Sequence, residues 1–121
     1  MTQSVATGIV DQVSSTSAQP IYSPLARDSG LRDLVELFVS SLPQRLAQLR
    51  EMAEQGDWEG LRRLAHQLKG AAGSYGFAVI SVKAAQLEAA ARQSADPPVI
   101  LQLLAELEEL SSRARSEAPP Y

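Results

Sequence analysis

The chain has no cysteine and a single histidine. The first absence excludes a disulfide framework and thiolate chemistry, and it suits a reducing, cytoplasmic setting. Together the two leave no ligand cluster for a structural zinc site. Basic residues are outnumbered, 11 Lys and Arg against 14 Asp and Glu, and the net charge of -3 offers no basic footprint for nucleic acid. No apolar run approaches the roughly 18 residues that a membrane span needs. The N-terminus lacks the charged and apolar segments of a signal peptide. A nucleotide-binding Gly-x-x-x-x-Gly-Lys-Ser/Thr loop is also missing, so the chain has no ATP site of its own. Strand-like alternation and internal repeats are absent as well.

What remains is helical periodicity. At 121 residues the chain makes one domain with a modest core. Met1 to about Gln19 is rich in Ser, Thr, Gln and small residues without a sustained period, which predicts a disordered tail over residues 1–20. Order is expected from Pro20–Leu25, with Tyr22 and Leu25 packing over one end. The domain is taken as residues 21–116, followed by a flexible C-terminus at 117–121. Asp28 or Ser29 can cap a first long helix whose inner face carries Leu31, Leu34, Val35, Phe38, Leu42, Leu46, Leu49 and Met52. Pro43 keeps the phase of that series, so one kinked helix is expected rather than two.

Gln55–Gly56 ends this helix, and Asp57 caps the second. Trp58, just after the cap, reads as a packing residue. After Gly76–Phe77 a third helix runs to about Gln93, with Val79 or Ile80, Ala84, Leu87 and Ala91 inward. Asp96 is expected to cap a fourth, with Pro97 in its first turn and Val99, Ile100, Leu103, Leu104, Leu107 and Leu110 inward. Its acidic residues Glu106, Glu108 and Glu109 read as a solvated face rather than a metal site. Four amphipathic helices with short turns predict an all-α fold, an antiparallel up-down four-helix bundle, with room for a short extra helix at the N-terminal end.

His66 lies on the second helix, on the wrong side for the core. At about 100° per residue, Leu61, Leu64, Ala65, Leu68, Ala72 and Tyr75 share an apolar stripe, and His66 points roughly 150° from its centre. Arg62, Lys69, Gly70 and Gly73 share the outward side. A neutral imidazole is nucleophilic near pH 7 without a metal, Lys69 can bring an ammonium near phosphoryl oxygens, and Gly70 leaves open space beneath the ring. Two exposed glycines inside a helix cost about 1 kcal/mol each relative to alanine. The plain alternative makes them the mark of a fraying end, with His66 an ordinary surface residue.

The stretch Ala65-His66-Gln67-Leu68-Lys69-Gly70-Ala71-Ala72-Gly73-Ser74-Tyr75-Gly76-Phe77 resembles the signature of histidine-containing phosphotransfer (HPt) domains. The likeness covers roughly residues 24 to 115 and takes in the upstream Gly56-Asp57-Trp58 turn and the downstream Leu87-Glu88 step. It implies a phosphocarrier rather than an enzyme, which takes a phosphoryl group on His66 from a receiver-domain aspartate and passes it to another receiver. Its implied partners are response-regulator receiver domains and a hybrid sensor histidine kinase. The Mg²⁺ is expected in the partner receiver, with no cofactor bound by this chain. A monomer is expected.

If the second and third helices are antiparallel about Gly76–Phe77, Glu88 comes level with His66 and could accept from Nδ1–H, leaving Nε2 to attack. Family members often carry Gln there, so Glu88 departs in charge though not in reach. The docking surface is expected around His66, from Arg62, Arg63, Lys69 and Gly73 with apolar residues near the start of the first long helix. Two other functions fit the same sequence. One is an interaction bundle that is never phosphorylated. The other is a phosphoacceptor domain cut from a larger chemotaxis-type or hybrid kinase.

Overall fold

A computed structural model describes residues 19–121, so the predicted tail up to residue 18 lies outside the described residues. In chain order the elements are a two-residue strand β1 (Ile21–Tyr22), a 3-10 turn (Pro24–Arg27), the helices α1 (Ser29–Glu54), α2 (Trp58–Ser74), α3 (Ala78–Arg92) and α4 (Pro97–Ser112), and a second two-residue strand β2 (Ala114–Arg115). The described residues are thus helical with almost no strand. The 3-10 turn occupies the place where a short extra helix was expected.

The helices begin and end where local chemistry dictates. Asp28 caps α1, its carboxylate accepting from Gly30 N at 2.8 Å. That helix continues through Pro43 as a single element. Asp57 caps α2 by accepting from Gly60 N at 2.9 Å. Asp96 stands at the cap position of α4, but its side chain makes no capping bond, contrary to expectation; Pro97 with its preset φ starts that helix instead. Three helix ends share one closure. In each, an N–H reaches the carbonyl five residues back: Asp57 to Met52 at 2.9 Å, Phe77 to Ala72 at 2.8 Å and Ala95 to Ala90 at 3.0 Å. The residue before that donor adopts a left-handed backbone, namely Gly56 (φ +70°), Gly76 (φ +86°) and Ser94 (φ +56°).

The core is formed by Val35, Phe38, Leu42 and Leu49 of α1, Leu61, Ala65, Leu68 and Ala72 of α2, Ile80, Ala84 and Leu87 of α3, and Ile100, Leu104 and Leu107 of α4. Of the expected helix-one face, Leu46 and Met52 are partly buried, whereas Leu31 and Leu34 are exposed. Leu34 lies about 100° around the helix from the buried Val35, and Leu31 sits in the first turn, so the stripe outruns its cover. The same end effect exposes Val99, in the first turn of α4, where an inward residue was expected. Of the two candidates at the start of α3, Ile80 is buried and Val79 exposed.

α3 packs most extensively on α2. Its small residues Ala84, Ala90 and Ala91 are buried, and Ser81 Oγ donates to Lys69 O at 2.8 Å across the interface. Phe38 stacks on both Tyr75 and Phe77, with centroids 5.5 and 5.6 Å away, which ties the first half of α1 to the turn between α2 and α3. Trp58 packs, partly buried, against the core as expected.

The acidic side of α4 is not simply solvated. Glu106 pairs with Lys83 of α3 at 2.8 Å, Glu108 takes both Nε and Nη2 of Arg50 of α1, and Glu109 meets Arg113 at 3.2 Å. Glu106 and Glu108 thus tie α4 to α3 and α1, whereas the Glu109 pair stays within the end of α4.

The segment before α1 covers the turn between α2 and α3. Ser23, fully buried, donates to Tyr75 O at 2.6 Å, and Leu25 packs against the core. β1 pairs with β2 in parallel, Ile21 opposite Ala114 and Tyr22 opposite Arg115. Tyr22 meets the Tyr121 ring edge-on at 6.3 Å, and Arg27 lies over that ring and donates to Tyr121 O.

Candidate functional site

The inner face of α2 is filled by Gly60, Leu61, Ala65, Leu68 and Ala72. The helical turn therefore drives residue 66 outward, and the His66 side chain is 60% exposed. Across from it on α3, Glu88 is the one charged side chain among the described residues that is buried. A buried carboxylate needs partners for its lone pairs, and this one has three. Its Oε2 lies 2.8 Å from His66 Nδ1 and 2.8 Å from Arg92 Nη2, and its Oε1 lies 2.9 Å from Lys69 Nζ.

That arrangement has electrostatic and tautomeric consequences. The Lys69 ammonium foremost, with the His66 ring, holds the Glu88 carboxyl below the usual carboxylate range, although burial opposes them. A carboxylate facing Nδ1 makes that nitrogen the donor. In the neutral ring the lone pair is then on Nε2, the nitrogen away from Glu88.

The remaining predicted residues fall in different settings. Nothing stands within 4 Å of where a Gly70 side chain would begin, so the surface under the ring is open. Gly73 is exposed but borders α3, where a Cβ would meet Ser81 Oγ at 3.3 Å. Lys69 does not stand free, because its ammonium is committed to Glu88 in this state. Arg62 is likewise engaged: its Nε and Nη2 reach the two Glu59 oxygens at 2.9 and 2.6 Å, holding the Glu59 carboxyl below its ordinary range. Arg63 is exposed.

His66, Lys69 and Glu88 thus meet in one cluster beside the open surface at Gly70. The sequence reading missed Arg92, although its place four residues after Glu88 on one helix was a usable signal. Among the described residues no group of three or more His, Cys, Asp or Glu could hold a metal ion. No helix there is long and apolar enough to cross a membrane.

A family model described as the Hpt domain matches residues 33–115, most of the chain and nearly all of its helical part. The chain belongs to the Hpt domain family. Hpt domains are phosphocarriers with a histidine phosphotransfer role in phosphorelays, where they meet receiver domains. This Hpt domain has no significant match among curated proteins or solved structures.

Proposed function

We propose that His66 is the phosphoacceptor of this Hpt domain, taking a phosphoryl group on Nε2 from a receiver-domain aspartate and handing it to a second receiver. One observation carries the reading. His66 Nδ1 is engaged by a buried carboxylate while the rest of the ring faces solvent. In the forward step the Nε2 lone pair attacks phosphorus, and the bond from phosphorus to the aspartyl oxygen breaks with its electron pair returning to that carboxylate. The ring keeps its Nδ1 proton and gains positive charge, which Glu88 offsets. Passing the group on reverses these events. Because transfer depends mainly on position and charge neutralisation, and the Mg²⁺ belongs to the receiver, a firmly oriented imidazole on an open surface is sufficient equipment.

An antiparallel up-down bundle fits this role. Gly73 lies near Ser81 close to the turn, and His66 reaches Glu88 further from it, as two helices running in opposite directions require. The docking surface combines Arg62, Arg63, Lys69 and Gly73 with the exposed Leu31, Leu34 and Leu37 of α1. The Phe38 stacks bring that part of α1 alongside the end of α2. A hybrid sensor kinase is the upstream partner in this reading, and the carrier works as a cytoplasmic monomer.

Incubation with a phosphorylated receiver should give an acid-labile, alkali-stable adduct on the protein. His66→Ala and His66→Gln should each abolish it. An undiminished adduct in either variant would overturn the assignment, and no adduct on the wild-type protein with any receiver would favour an interaction bundle.

A further inference from the structure

We propose that Arg92 is a positioning residue for transfer at His66, acting through the carboxylate of Glu88; the inference rests on His66 being the phosphoacceptor. Glu88 Oε2 accepts from both His66 Nδ1 and Arg92 Nη2 at 2.8 Å, so the guanidinium stands within two hydrogen-bond lengths of the ring. Lys69 holds the other oxygen from α2. Arg92 sits one turn beyond Glu88 on α3, which lets it brace the carboxylate from within the same helix.

The division of labour follows from the two anchor points. A carboxylate held at Oε1 alone is free to swing about its terminal torsion toward Lys69, and the ring would lose its fixed acceptor. Held at both oxygens, it presents Oε2 to Nδ1 in one orientation, which fixes the tautomer and aims Nε2. The other charged groups nearby do not substitute for this brace, because the Arg62 guanidinium is taken by Glu59. Arg92 itself is 59% exposed, so its side chain can be changed without opening the core.

The test measures phosphoryl acceptance from a phosphorylated receiver and, separately, the ring ¹⁵N signals of the sole histidine, which report its tautomer. Arg92→Ala should slow acceptance about tenfold, as loss of an outer hydrogen-bonding partner does elsewhere, and should mix the two ring tautomers. Arg92→Lys should restore most of the rate. In a Glu88→Ala background, Arg92→Ala should slow acceptance no further, since the group it braces is gone. An equal loss in both backgrounds would show that Arg92 meets the phosphoryl group or the receiver directly, and would overturn the proposal. So would an unchanged rate and tautomer in Arg92→Ala. If the wild-type protein accepts no phosphoryl group, the role of His66 fails, while the ¹⁵N comparison still decides whether Arg92 orients the ring.

Discussion

Glu88 concentrates most of the site's electrostatics in one side chain. Its carboxyl is held below the ordinary range near 4.3 by Lys69 and His66. A carboxylate whose folded pKa is depressed contributes stability that is fully present above its unfolded value and is lost as pH falls through the folded one. Stability should therefore decline more steeply below about pH 4.3 in the wild-type protein than in Glu88→Gln, where no charge is left to titrate. Urea unfolding at a series of pH values checks this, and parallel curves would mean that the ion cluster adds nothing to the fold. Much of this site was legible beforehand. The outward direction of His66 followed from Leu61, Ala65 and Leu68, and Glu88 followed from its distance to the turn. Arg92 was missed despite its spacing, because an arginine four residues after a glutamate reads as a surface pair until burial of the glutamate is known.

Among the elements, the three matching helix ends form an internal experiment. Gly56 and Gly76 meet the left-handed closure with the residue suited to it, whereas Ser94 adopts the same backbone with a side chain. For an L-residue that conformation costs roughly 1–2 kcal/mol, partly recovered from the stiffer unfolded chain. Ser94→Gly is expected to stabilise the protein by about 0.5 kcal/mol or more. Gly76→Ala should destabilise by more than about 1 kcal/mol, because it adds the left-handed penalty to a collision with Ser23 Oγ and close contact with Leu25. Thermal melts of the two variants should move in opposite directions; a shared direction would mean that closure geometry is not what limits these turns. The four helices were legible because caps and periods are local. The exposed Leu31, Leu34 and Val99 were not, since periodicity gives the direction of a face and not how far the neighbour extends over it. Nor were β1 and β2, as two residues are too few to show alternation.

For the molecule as a whole, the net charge of -3 hides a local reversal. Arg62, Arg63, Lys69 and Arg92 surround the His66 region, while Glu106, Glu108 and Glu109 lie on α4. A receiver's acidic pocket should be steered toward the former, so raising salt from about 0.05 to about 0.5 M should slow association several-fold. Gly70→Gln should weaken receiver binding at least about tenfold by filling the open surface, yet leave the melting temperature equal or slightly higher. Shift changes in an NMR titration should cluster around His66 and spare the acidic residues of α4. The largest changes on α4 would sink this docking geometry. The parallel pairing of β1 with β2 has a consequence of another kind. It sets Ile21 beside Ala114, so the first and last strands share a doorway about one strand spacing wide, roughly 4.8 Å, through which both run in the same direction. Ser23 binds Tyr75 O beside that doorway, and nine residues of helix, about 14 Å, separate Tyr75 from His66. Tension on the segments flanking the two strands would therefore pull β1 and β2 past each other along their length rather than unzip them, with the histidine held away from the seam.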